Sequence, residues 1–83
     1  MLKIPEGKKA PMEIDCRELE PPEPLVRVVT AASELKDDES ILMIHRHKPC
    51  RLFERLDKMG LHYSMDELEG RVEILIWSDR TNV

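Results

Sequence analysis

The sequence predicts an α/β (α+β) two-layer sandwich, in which two helices cover one face of a mixed four-stranded sheet. The spacing of apolar residues alternates along the chain between a period of two and a helical period. A continuous apolar run, Ile41 to Ile44, is typical of a strand that is covered on both faces. With 83 residues, the chain has the length of one domain with a modest core.

The first half of the chain predicts a strand followed by a helix. Met12, Ile14 and Cys16 alternate with charged residues, which favours a half-buried strand. Pro22 and Pro24 indicate a helix start, because proline is tolerated in the first turn of a helix. The apolar residues that follow recur at helical spacing and form one stripe: Leu25, Val28, Val29, Ala32 and Leu35.

The second half begins with the central strand and leads into a second helix. The strand covers Ile41 to Ile44, and residues 45–48 form the loop after it. Pro49 begins the helix, which ends before Gly60, a residue type that readily adopts the left-handed conformation found just past helix ends. The apolar stripe of this helix is Leu52, Phe53, Leu56 and Met59.

Two more strands complete the predicted sheet. They cover Leu61 to Asp66 and Val72 to Trp77, and the tight turn Glu69-Gly70 joins them into an antiparallel hairpin. A strand–helix–strand unit returns parallel with a right-handed crossover, so the first two strands should run in the same direction. The predicted order is therefore β-α-β-α-β-β, with both helices on one face.

Charge and composition limit the classes of partner. Residues 1–11 are expected to form a flexible basic tail, and residues 12–79 a single domain. The formal net charge is −4, and its 13 basic and 17 acidic residues are mixed along the chain. This mixing argues against nucleic acid or an anionic membrane surface as the main partner. With no secretory leader or membrane span, we expect a cytoplasmic protein whose two cysteines are free thiols.

Parallel pairing of the first two strands would bring two polar segments together. The carboxyl ends of parallel strands lie at the same edge of a sheet, so "IDCREL" and "HRHKPC" should face each other there. Ligands favour this edge in open α/β sheets, and helix N-termini favour anions. The edge is therefore the expected site for a ligand.

Three interpretations of His45, His47 and Cys50 stay open. In the first, they supply three ligands of a zinc or copper ion. In the second, Cys50 is a sulfur or redox carrier, because the helix start, Lys48 and Arg51 would stabilise its thiolate. In the third, His47 caps or braces the helix start, His45 is a surface residue at the strand end, and Cys50 packs against the sheet as a small hydrophobic residue.

The sheet also predicts an apolar patch on the face that the helices leave uncovered. In these strands, one set of alternating residues already supplies a core face. The other set points to the opposite face and includes four apolar residues: Leu42, Ile44, Leu75 and Trp77. Contiguous exposed apolar surface usually marks an interaction site. We therefore expect a partner contact, or a homodimer, through this uncovered sheet face.

The segments "IDCRELEPPEPL" and "ILMIHRHKPCRLF" resemble the TusA/SirA sulfur-carrier superfamily, and more closely an uncharacterised sister family, a domain of unknown function. That sister family has an aspartate–arginine strand, a proline-rich helix start and a His-Asp-Pro-type turn after the second strand. The turn here reads His47-Lys48-Pro49, and Asp15 and Arg17 match the strand. The resemblance covers roughly residues 12–77 and implies the same fold and a link with sulfur metabolism.

One departure from the resembled superfamily bears on function. Counting from Asp15, the position of the carrier's persulfide cysteine is Pro21, which has no thiol. The resemblance therefore implies the location of a site and not sulfur relay at that position. We expect a non-enzymatic module without a cofactor, which binds a protein partner or a small anionic ligand. The matched binding residues are Asp15, Arg17, His47, Lys48 and Pro49.

Overall fold

The computed structural model describes residues 9–78, which form a four-stranded mixed sheet and two helices. The elements are β1 Met12–Asp15, α1 Glu23–Ser33, β2 Ser40–His45, α2 Cys50–Met59, β3 Leu61–Leu68 and β4 Arg71–Ser78. This order confirms the predicted fold class. Residues 1–8 of the tail expected at residues 1–11, and the domain end expected at residue 79, lie outside the described residues.

The sheet has the strand order β1-β2-β4-β3, with β2 and β4 in the centre. Strands β1 and β2 are parallel, with Ile14 opposite Met43, and the pairing continues beyond β1 because the Cys16 N–H donates to the Ile44 carbonyl at 2.7 Å. The pairs β2–β4 and β3–β4 are antiparallel. The carboxyl ends of β1 and β2 therefore lie at one edge, as the crossover rule predicts.

The core lies between the sheet and the two helices. Both helices present the apolar stripes that their spacing predicts, and alternate residues of β2 and β4 supply the other side, as expected for strands whose side chains alternate between faces. The fully buried contributors are Val28, Ile41, Met43, Leu56, Ile74 and Ile76. Burial of such a side chain stabilises the fold by about 1.5–3 kcal/mol.

Both helices begin with proline and without a side-chain cap. Pro22 occupies the N-cap position of α1, and Pro49 occupies that of α2. Neither helix has a side-chain hydrogen bond at its N-cap. Helix α2 ends at Gly60, whose φ of 74° is the left-handed conformation that the sequence predicts there. Within residues 9–78, neither helix is long and apolar enough to cross a membrane.

The structure corrects the sequence-based boundaries at the ends of the first two strands. Strand β2 extends to His45, which pairs with Val72 of β4 and is 9% exposed. The prediction that His45 is a surface loop residue is therefore wrong, because the central position of β2 covers it. Met12 is 52% exposed, although its alternation suggested partial burial, since β1 is an edge strand with a neighbour on one side only.

The sheet face away from the helices is less exposed than the sequence suggests. Ile44 and Leu75 are buried, while Leu42 and Trp77 are half-buried. The His62 ring stacks on the Trp77 ring, with centroids 5.9 Å apart and planes 26° from parallel. The apolar patch is thus reduced, and the homodimer through this face stays a prediction.

Replacing Gly60 with Ala should destabilise the domain by about 1–2 kcal/mol, because a β-carbon makes the left-handed conformation unfavourable. A β-carbon there would meet no atom within 4 Å, so the cost is conformational and not steric crowding by neighbours. Urea unfolding with an unchanged slope would measure it. Gly60→Asn is the control and should lose less, since asparagine tolerates this conformation. An alanine variant as stable as the parent would contradict the role of Gly60.

Candidate functional site

A cavity of about 440 Å³ opens between the starts of the two helices. We call it the helix-start cavity. Its lining comes from the start of α1 (Pro21, Pro22, Pro24 and Leu25), from β2 (Met43 and His45) and from the start of α2 (Pro49, Cys50, Arg51 and Leu52). The parallel pairing of β1 and β2 explains this position, because the chain leaves both strands at one edge and soon begins a helix each time.

Prolines form much of the cavity wall. Pro21, Pro22 and Pro24 stand on one side and Pro49 on the other. The proline ring fixes the backbone φ angle and removes the N–H donor, so these positions give an apolar wall of restricted geometry. Any hydrogen-bond donors that face a ligand must therefore come from the few other groups of the lining.

The Leu25 N–H, in the first turn of α1, is one such donor. The N–H groups of Glu23 and Val26 donate to the carbonyls of Glu20 and Pro22, at 2.9 and 3.1 Å. The Leu25 N–H has no acceptor among residues 9–78. A helix start leaves such amides unpaired unless a cap, water or a ligand accepts from them.

Helix α2 repeats this arrangement. The N–H groups of Cys50 and Leu52 donate to the carbonyls of Lys48 and Pro49, at 3.1 and 3.0 Å. The Arg51 N–H has no acceptor in the described part of the chain. Two unpaired amides, each at the positive end of a helix dipole, thus belong to residues that line one cavity.

His45 forms part of the cavity lining from the sheet side. The residue is 9% exposed, and its Nδ1 atom is buried without a hydrogen-bond partner within the described residues. Burial lowers the pKa of His45 below its ordinary value of 6.5, although hydrogen bonding with the Cys16 backbone acts in the opposite direction. The nearby His47 and Arg46 lower this pKa further. The ring is therefore neutral at pH 7, with one nitrogen as donor and the other as acceptor.

The unpaired nitrogen of His45 needs a physical explanation. A buried polar group without a partner costs about 1–3 kcal/mol of folding free energy. Such groups are rare in folded proteins and often mark a place where a ligand or a water molecule completes the hydrogen bonding. The Ser40 hydroxyl is also buried without a partner, but it lies at the opposite end of β2 and is not part of the cavity lining.

The two cysteines have opposite environments. Cys16 is fully buried in the core, its Sγ lies 3.9 Å from the Ile14 carbonyl oxygen, and burial raises the pKa of its thiol. Cys50 is exposed, is the first residue of α2 and lines the helix-start cavity. Both are free thiols. Because Cys16 is buried, Cys50 is the one that a reagent or ligand can reach.

Asp15 and Arg17, two of the predicted binding residues, pair with each other instead of lining the cavity. The Arg17 guanidinium donates to both carboxylate oxygens of Asp15, at 3.0 and 2.8 Å. These hydrogen bonds lower the pKa of Asp15 to about 2. Asp15 pairs in register with Ile44, so it lies on the sheet face away from the helices. The pair therefore lies at the predicted edge of the sheet, but on the face opposite the helices and the cavity.

The predicted turn contributes one residue to the cavity. Pro49 lines it, whereas His47 and Lys48 are exposed and do not. The His47 ring lies edge-on to the His45 ring, with centroids 6.0 Å apart. Within residues 9–78, no three side chains of the His, Cys, Asp and Glu types form a group that could hold a metal ion. The geometry therefore gives the zinc or copper interpretation of His45, His47 and Cys50 no support.

Sequence reasoning missed the unpaired amides of Leu25 and Arg51, although a signal for them was present. Ser, Thr, Asp and Asn are the residues that usually cap a helix start, and neither Pro22 nor Pro49 can replace them. An uncapped helix start implies amides without partners. The burial of His45 gave no comparable local signal, because it depends on pairing with Val72, far along the chain.

The family comparison covers the whole of this site. The model of a family described as "Uncharacterized conserved protein (DUF2249)" matches residues 13–78. The chain belongs to the DUF2249 family. Its matched segment includes every residue of the helix-start cavity. No curated protein and no solved structure matches the chain.

In this DUF2249 domain, His45 should make folding stability depend on pH. Its pKa is lower in the folded state than in the unfolded chain, so the unfolded state binds more protons as the pH falls below about 6.5. The free energy of unfolding should therefore decrease on acidification through this range, and His45→Gln should reduce the decrease. Urea unfolding between about pH 7.5 and pH 5 tests this. His47→Gln is the comparison, because it removes only the smaller effect of this neighbour on the pKa of His45, and it should reduce the decrease less than His45→Gln does. Equal slopes in all three proteins would contradict the prediction.

Arg17→Ala should raise the pKa of Asp15 from about 2 towards its ordinary value of 3.8, because the two hydrogen bonds that favour the carboxylate are lost. An NMR titration of the Asp15 carboxyl carbon would measure the shift. Arg71→Ala is the matched control, since Arg71 has only a small effect on this carboxylate. An Asp15 pKa that stays near 2 without Arg17 would show that another group stabilises the charge.

Proposed function

We propose that this DUF2249 protein is a small binding module, which takes up an acidic small molecule with an apolar body in the helix-start cavity. The buried Nδ1 of His45, which has no partner within residues 9–78, carries the proposal. It belongs to the same cavity lining as the two helix starts whose Leu25 and Arg51 amides also have no acceptor in that part of the chain.

The polar groups of the lining suit a carboxylate. A carboxylate offers two oxygens that accept several hydrogen bonds, and the Leu25 and Arg51 N–H groups are donors at the positive ends of two helices. In the tautomer that carries its proton on Nδ1, the neutral His45 ring can donate a further hydrogen bond to the carboxylate, and its other nitrogen is then the acceptor. The donors come from separate elements, so one anionic group would connect both helices and the sheet.

The remaining lining suits an apolar body. Four prolines, Leu25, Met43 and Leu52 provide carbon surface around the polar groups. The volume of about 440 Å³ falls in the range of small-molecule sites, which is about 300–1,000 Å³. This size favours a small molecule over a protein segment. The proposed role is binding and not catalysis, because these groups are suited to hold an anion.

Kinship with the TusA/SirA superfamily and a cytoplasmic location are further parts of the proposal. The strand and helix order supports the kinship, as does the proline-rich start of α1. Pro21, at the position of the carrier cysteine, lines the cavity. In this module, the place of the carrier thiol would thus be part of a ligand-binding wall, and sulfur relay at Pro21 is not proposed.

Benzoate is a simple probe of this function. Titration should shift the NMR amide signals of Leu25 and Arg51, because both N–H groups gain an acceptor. Benzamide has nearly the same shape without the charge and should bind about tenfold more weakly than benzoate. Hydrogen bonds to a charged group contribute about 1.5–3 kcal/mol, against about 0.5–1.5 kcal/mol for neutral ones. Equal affinities, or shifts confined to other residues, would contradict an anion site.

Two histidine variants locate the site. His45→Gln should weaken benzoate binding about tenfold, while His47→Gln, on an exposed ring outside the cavity, should change it less than about twofold. Arg17→Ala, whose guanidinium pairs with Asp15 on the other sheet face, should also leave binding intact. If His47→Gln and Arg17→Ala abolish binding and His45→Gln does not, the site is the turn predicted from the sequence.

A further inference from the structure

Cys50 places a nucleophilic group in the helix-start cavity. It is exposed, it is the first residue of the ten-residue helix α2, and it belongs to the same lining as His45. Its own N–H donates to the Lys48 carbonyl, while the next amide, that of Arg51, has no acceptor within residues 9–78. A thiol and two unpaired polar groups thus share one concave surface.

We propose that Cys50 forms a reversible mixed disulfide with a low-molecular-weight acidic disulfide, whose carboxylate occupies the unpaired donors of the helix-start cavity. This rests on the proposed function, because the same donors would hold the acid. The unpartnered His45 Nδ1 is the observation, independent of the cysteine, that points to a ligand here.

The exchange balances without a further oxidant. The Cys50 thiol loses its proton to solvent, and its sulfur attacks one sulfur of the small disulfide. A new bond forms between Cys50 Sγ and that sulfur as the disulfide bond breaks, and the departing thiolate takes up a proton. One thiol and one disulfide enter the reaction, and one thiol and one mixed disulfide leave. A second free thiol reverses the reaction by the same route.

Local charge favours an acidic partner over a basic one. Lys48 and Arg51 flank Cys50, and all three lie at the positive end of α2. A carboxylate a few bonds from the attacked sulfur would remain within the cavity once the sulfur bond forms. A cationic disulfide would meet like charge at Arg51, and no carboxylate of the described residues lines the cavity to pair with its ammonium group.

Cys16 is a built-in control on the same chain. It is fully buried in the core beside Ile14 and Val28, so a small disulfide reaches it only when the domain unfolds. Modification of Cys50 alone therefore reports on the folded protein, and modification of both cysteines reports on unfolding.

The experiment compares three disulfide probes of different charge: dithiodipropionate, hydroxyethyl disulfide and cystamine. Rates of mass addition to the reduced protein are measured, and the modified cysteine is identified by peptide mapping. In the folded protein, Cys50 should react at least about tenfold faster with dithiodipropionate than with cystamine, and Cys16 should not react. In concentrated guanidinium the preference should disappear. His45→Gln should reduce the preference in the folded protein, which flanking charges alone would not explain.

The outcomes separate the two proposals. If the folded protein shows the same probe preference as the unfolded chain, or if His45→Gln leaves the preference unchanged, the mixed disulfide at the cavity is wrong. Benzoate binding by the reduced parent protein then decides the proposed function on its own. If benzoate still shifts the Leu25 and Arg51 amides, acid binding stands without the thiol chemistry; if it does not, both proposals fall.

Discussion

The parallel pairing of β1 with β2 is the constraint on which the rest of the molecule depends. The hydrogen bond from the Cys16 N–H to the Ile44 carbonyl extends this pairing one residue beyond the end of β1, where the chain leaves the sheet. Because both strands end at the same edge, the helix after each strand begins there. An antiparallel arrangement would send the two helix starts to opposite ends of the sheet, and no cavity could form between them.

The cavity exists at some expense to folding stability. Two helix starts lack a side-chain cap, and a cap is typically worth about 1 kcal/mol. The unpaired His45 nitrogen adds a further cost of similar size. In a domain of this length, which buries only a modest core, such features are a considerable fraction of the total stability. A ligand that pairs with these groups would recover part of that stability, which links binding to the rigidity of both helix starts.

The fold could be predicted from the sequence because its signals are local. Proline positions, the spacing of the two apolar stripes and Gly60 fix the helices within a few residues, and the crossover rule supplies the parallel pair. The edge that carries the cavity followed from the same reasoning. The residues that line the cavity did not, because the lining depends on which sheet face each side chain occupies. Asp15 is in register with Ile44, so it points away from the helices, although its neighbour Cys16 is in the core.

His45 shows most clearly why the remaining details were out of reach. A β2 strand that ended one residue earlier would leave this imidazole in a surface loop. Its actual burial requires pairing with Val72, twenty-seven residues further along the chain, and such long-range pairing leaves no trace in the local pattern. The family resemblance favours the neighbouring His47, which is exposed. The cavity lining contains His45 and not His47.

The most direct test is an NMR measurement of the scalar coupling across the hydrogen bond between the Cys16 nitrogen and the Ile44 carbonyl carbon. A parallel pair that extends to this position predicts a resolved correlation between these two nuclei and slow exchange of the Cys16 amide proton. A missing correlation, together with an amide that exchanges as fast as in an unfolded chain, would show that the two strands do not meet at this edge. The helix-start cavity would then lose its structural basis.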